Sequence, residues 1–148
     1  MTLWKRTAAA VMLVLGMVAG AAPVASGAPA GAAAAQTVRH MKAFTLPSGN
    51  IACLYDSGRL RCDILSGVKP EPQKACQYFW KGVMLSGDGK TQWLCIIDTV
   101  YDASAPTFHH GWTWQRGAIT CRSPERGLRC ENDLGHGFSL LRSHSTKW

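Results

Sequence analysis

The sequence predicts an all-β fold: a small antiparallel, disulfide-rich domain of two similar hairpin-containing halves packed together. Three observations predict it. Six cysteines stand in a chain of 148 residues. An even count reads as a disulfide framework, and no two are as close as the C-x2-C of a metal knuckle. Apolar and polar residues alternate between glycine- and proline-rich breaks, and no stretch sustains a helical period. Finally, part of the chain repeats. Shifted by 68, Phe44–Asp63 aligns with Trp112–Glu131, with seven of 20 positions identical, among them both cysteines of each segment. Duplication gives such a match, and so does convergence of two ordinary hairpins.

The first 36 residues stand apart from this pattern. MTLWKR ends in two positive charges, and an apolar run broken only by glycines and Pro23 follows, then small residues. This is the three-part plan of a secretory signal peptide, shorter and more interrupted than a membrane span. Residues 1–30 are therefore expected to be the signal peptide, with cleavage between 26 and 35. Residues 31–39 read as an Ala/Gly-rich tail or linker, and 40–148 as one domain. Of 16 Lys and Arg, only Lys5 and Arg6 lie in the leader, so the formal charge of +7 becomes +5 beyond it. The expected location is outside the cell or in its envelope.

Along the domain, Lys42–Asn50 reads as a short strand closed by Pro47-Ser48-Gly49. The first hairpin turns at Asp56–Arg59, with Ser57 and Gly58 at its tip. Ser66–Lys74 is a loop, Ala75–Lys81 a short apolar patch, and Ser86–Lys90 a turn. Gln92–Val100 is the most strand-like run, continuous enough to suggest a central strand. The second hairpin spans Trp112–Cys130, with Pro124–Gly127 as its loop, and Leu134–Arg142 forms a last strand.

The hairpin register bears on the disulfides. A tip at Ser57-Gly58 sets Cys53 opposite Cys62, and the second loop sets Cys121 opposite Cys130. Each pair then lies in reach of a cross-strand bond, which leaves Cys76 for Cys95. Six cysteines allow 15 connectivities, and the main rival joins the halves through Cys53–Cys121 and Cys62–Cys130. In the chain-entropy model each ten-residue loop contributes about 2.7 kcal/mol and the 20-residue loop about 3.3 kcal/mol.

PSGNIAC at 47–53, RCDI at 61–64, Cys76, CIIDT at 95–99, GLRC at 127–130 and GHGF at 135–138 occur in this order. This pattern resembles a family of small exported actinobacterial proteins that share a six-cysteine domain of unknown function, over roughly residues 40–142. The resemblance implies export and a disulfide-bonded β domain. It transfers no activity, substrate or catalytic residue.

The candidate binding residues are Trp112, Trp114, Arg116, Arg122, Arg129 and His136. The first five make the second hairpin rich in arginine and tryptophan, suited to a cell-wall polymer, an anionic surface or another protein. The competing reading puts both tryptophans, two apart, in the core and leaves the arginines to solvate an edge. Arg122 faces Arg129 in the expected register, an unfavourable pair unless an anion or acid lies between. No nucleic-acid recognition motif or sustained basic stripe is present. His136, between two glycines, reads as a site residue or as a turn at a strand start. His109 and His110 read as exposed loop residues. Asp63 and Glu131 occupy equivalent repeat positions beside cysteines and are expected to pair with Arg61 and Arg129. No nucleophile elbow, phosphate-cradling loop or metal-ligand spacing appears, so no cofactor is expected.

Three function classes remain. The first is an exported binding module at or outside the cell envelope. The second is a small secreted hydrolase using His136 or His109 with a carboxylate, and the third an inhibitor or toxin-like effector displayed on the Pro124–Gly127 tip.

Overall fold

The computed structural model describes residues 35–148, which belong to one compact unit, Ala32–Trp148. The signal peptide expected over 1–30 lies outside the described residues. The chain is all β, with eleven strands in two sheets among the described residues. Sheet one is a five-stranded antiparallel meander: β2 (Ala43–Thr45), β3 (Ile51–Asp56), β4 (Arg59–Ile64), β5 (Phe79–Ser86) and β6 (Thr91–Ile96). Sheet two repeats that plan with β7 (Thr113–Arg116), β8 (Ile119–Arg122), β9 (Leu128–Asn132), β10 (Gly137–Leu140) and β11 (Ser145–Lys147). A short β1 (Thr37–Val38) adds to β7 in parallel, the one departure from antiparallel pairing between strands.

The domain thus begins before residue 40. Val38, placed by the sequence in a linker, is 2 % exposed and joins the core, and Arg39 donates to the Gln115 side chain at 3.0 Å. A two-residue parallel strand leaves almost no local sequence signal.

The first hairpin turns as its residues demand. Ser57 and Gly58 both have positive φ, 48° and 78°, the geometry of a two-residue primed turn whose twist matches the strands. Its ladder runs from Asp56 opposite Arg59 to Cys53 opposite Cys62 and Ile51 opposite Ile64. In sheet two Cys121 faces Cys130 and Arg122 faces Arg129. Disulfides join Cys53 to Cys62, Cys76 to Cys95 and Cys121 to Cys130.

Period-two alternation sorts each strand into an inner and an outer face. Leu60, Cys62, Ile64, Val83 and Leu85 of sheet one turn inward, as do Trp114, Ile119, Cys121, Leu128, Cys130, Phe138 and Leu140 of sheet two. These faces share one core. Phe44 is its hub, with its ring 4.9 Å from Phe108 and 5.6 Å from Trp114 between centroids. The polar side chain of Asn132 (4 % exposed) also ties the halves, donating at 2.8 Å to the carbonyls of Ser86 and Gly89.

Two strands differ from the sequence reading. Gln92–Val100 does not form a central strand: β6 ends at Ile96 and lies at the edge of sheet one. Its apolar run has another cause, because the chain beyond Ile96 folds back across the outer face of the sheet, and Val100 donates its N–H to Asp63 on β4. Leu134–Arg142 is not last either, since β11 adds a further edge strand.

Candidate functional site

The repeat supplies an internal comparison. Arg61 and Arg129 occupy matching positions on the outer faces of β4 and β9, and Asp63 and Glu131 follow two residues later. Around Arg61 the sheet neighbours are Leu54 and Met84. Around Arg129 they are Arg122 and Ser139.

In sheet one the arginine is neutralised and covered. Arg61 forms a fork with Asp63 at 2.9 and 3.0 Å and meets Asp98 at 2.8 Å. The Asp63 side chain is 2 % exposed and also accepts the Val100 N–H at 2.9 Å. Hydrogen bonding to Asp98, then to Asp63, pushes the Arg61 pKa up despite partial burial, and hydrogen bonding from Arg61 holds the Asp98 carboxyl below its usual range. This is the strong, charge-assisted kind of contact.

In sheet two the same position is open. Arg129 reaches Glu131 only at 3.4 Å, with both side chains about half exposed. Its guanidinium lies 4.3 Å over the Trp148 ring. Arg122 is exposed and has no ion-pair partner among the described residues. The same holds for Arg126 in the hairpin loop and for Arg142, two residues past Leu140, which pairs with Leu128 beside that loop. Four arginines thus share one end of sheet two.

At this end lies a cleft of about 680 Å³. Leu46, Ile51 and Leu65 contribute apolar floor, while His110, Glu125, Arg126 and Arg142 contribute polar groups. A concave apolar surface with a few converging polar groups is the usual form of a binding site. His110 is oriented by the fold. Its Nδ1 lies 2.9 Å from the Pro124 carbonyl and 3.4 Å from the buried Ser123 hydroxyl. Only a donor satisfies a carbonyl, so Nδ1 carries the proton and the neutral ring leaves Nε2 as an acceptor.

The six candidate residues do not form one surface. Trp114 is a core residue: it is 0 % exposed, and its Nε1 donates to the Met41 carbonyl at 2.9 Å. Trp112 is half-buried on the same inner face, edge-on to Phe108 and His109. Arg116 sits at the opposite end of β7, stacked 5.2 Å over Tyr55. His136 lies in the β9–β10 turn, where its N–H donates to the Asn132 side chain and its carbonyl accepts the Asn132 N–H. The glycine after it has an architectural role, because a Cβ at Gly137 would collide with the Cys130 carbonyl and the Trp148 ring. Arg122 and Arg129 alone of the six stand side by side on an open face. Sequence reasoning missed Arg142 and the cleft, which is assembled from segments far apart in the chain.

Among the described residues no three His, Cys, Asp or Glu side chains gather as metal ligands would, and no helix is long and apolar enough to cross a membrane. No family model, curated protein or solved structure matches the chain.

Proposed function

We propose that the protein is an exported binding module that holds an anionic group of an envelope or extracellular partner at the arginine-rich end of sheet two. One observation carries this reading. Where the fold has a structural arginine, at Arg61, it supplies two carboxylates and a covering segment. At the matching position it sets Arg129 beside a second arginine and leaves both open to solvent. Like charges directly opposite on a sheet repel, and an anion between them removes the penalty. Export is supported by the leader pattern and by three disulfides, which persist in oxidising compartments.

The test is retention of the purified protein on insoluble cell-wall material over a salt series. Retention at low salt should fall as salt rises, because exposed charges are screened. Arg122→Ser with Arg129→Ser should release the protein at markedly lower salt. No retention of the unaltered protein at low salt would falsify the reading.

A hydrolase is the second reading, and the orientation of His110 shifts it away from His136 and His109. A ring with Nδ1 fixed on a backbone carbonyl and Nε2 free is arranged as general bases are, and Glu125 lines the same cleft. It predicts that His110→Ala abolishes a hydrolytic activity while leaving the fold intact.

A further inference from the structure

Sheet one carries a second unusual surface, away from the arginines of sheet two. Tyr78, Phe79 and Ile97 are 47 %, 55 % and 72 % exposed. They form one patch by register: Phe79 pairs with Ile96, so Tyr78 and Ile97 adjoin at the same end of β5 and β6. The patch is fixed in place. The Cys76–Cys95 bond ties the segment entering β5 to β6, and the Trp80 indole donates to the Lys74 carbonyl at 3.3 Å. This disulfide has no counterpart in the second half, whose only cysteines are Cys121 and Cys130. Cations edge the patch. Lys81 lies 4.6 Å over the Phe79 ring, and Lys74 is on the tied segment. Of the nearby acids, Asp98 is engaged by Arg61, while Glu71 is exposed on the loop.

We propose that this patch docks the protein on an anionic lipid surface. With about 200 Å² per fully exposed side chain of this size, the three residues present about 350 Å². A stable protein–protein interface needs about 800 Å² on each partner, so two copies of this patch fall well short. A lipid interface needs far less. A few aromatic and aliphatic side chains enter the headgroup boundary, and adjacent lysines meet anionic headgroups. The extra disulfide keeps these side chains presented rather than collapsed onto the sheet. This surface is separate from the arginine site and does not depend on it.

Vesicle flotation tests the proposal with the purified protein. It should float with vesicles of phosphatidylcholine mixed with phosphatidylglycerol and only weakly with phosphatidylcholine alone. Phe79→Ser with Ile97→Ser should lower the partition coefficient by about tenfold or more. Both residues are exposed, so the fold should persist, and far-UV circular dichroism checks it. Lys74→Glu with Lys81→Glu should weaken flotation at low salt while keeping every apolar side chain. Arg122→Ser with Arg129→Ser should leave it largely intact. The proposal is overturned if the unaltered protein floats with neither vesicle. It also fails if the Phe79/Ile97 variant floats normally, or if sedimentation reveals a dimer that this variant dissociates.

Discussion

Arg61→Met and Arg129→Met make a matched pair of substitutions at equivalent positions, with opposite expectations. Removing Arg61 strips the Asp63 carboxylate of its ion-pair partner and leaves the Val100 N–H as its remaining donor. That carboxylate is 2 % exposed, whereas the Arg61 side chain is 20 % exposed. Breaking a fully buried pair costs about 3–5 kcal/mol, and the residual access of water at Arg61 puts the expected loss near the lower end, about 3 kcal/mol. For a domain of this size that corresponds to a fall of roughly 12 °C in Tm. Arg129 is more than half exposed and its contact with Glu131 is long, so Arg129→Met should change stability by no more than about 0.5 kcal/mol. Urea and thermal unfolding without reductant measure both. Arg61→Met with Asp63→Leu should recover most of the loss, since an apolar pair replaces a buried ionic one at little cost. If Arg61→Met loses less than about 1 kcal/mol, or the two single variants lose equal amounts, the division into a structural and an open arginine is refuted.

Three further outcomes are expected. Trp114→Phe deletes the donor to the buried Met41 carbonyl and opens a small void, so it should cost about 2 kcal/mol in urea unfolding, while Trp112→Phe costs clearly less. Mild reduction followed by alkylation and peptide mapping should label Cys76 and Cys95 first, because both are part-exposed while the other four cysteines are 0–1 % exposed. The folded Asp98 carboxyl titrates below its unfolded value because Arg61 bonds its charged form. Its stabilising contribution is therefore complete above about pH 4 and is lost as pH falls further. Asp98→Asn should flatten that acid limb of the stability curve and leave the pH dependence near neutrality unchanged.

Much of the fold was legible because its determinants are local. Ser57-Gly58 requires a tight turn, and a tight turn fixes the register that sets Cys53 opposite Cys62. The spacing of Cys121 and Cys130 carries the same information. Legibility failed where the cause is tertiary. β5 went unassigned because its register shifts between Trp80 and Gly82, which interrupts the alternation a strand shows. Gln92–Val100 read as central because its outer face is apolar, yet cover comes from its own continuation and not from another strand. Asn132 gave no signal beyond its place before a glycine-rich turn, although its side chain holds that turn and bonds across to the carbonyls of sheet one. The cleft could not be read at all, since no spacing rule joins Leu46, Leu65, His110 and Arg142.

The repeat explains why the two outer faces can differ so far. Each half commits its inner face to a shared core, in which Phe44, Tyr55, Phe108 and Trp114 interlock, and pins one hairpin with a buried disulfide. Substitution there is constrained by close packing. The outer faces carry no such constraint. In sheet one, Leu54 and Met84 flank an arginine neutralised by carboxylates and overlaid by the chain leaving β6. In sheet two, Arg122 and Ser139 stand in their places, and no such segment bonds to Arg129 or Glu131 among the described residues. Because the backbone ladder is the same in both halves, the difference lies in side chains and in one covering segment. An uncovered arginine pair contributes little to holding the domain together, as the exposure of Arg129 and its long contact with Glu131 indicate. The physical role left to it is attraction of an anion from outside the fold.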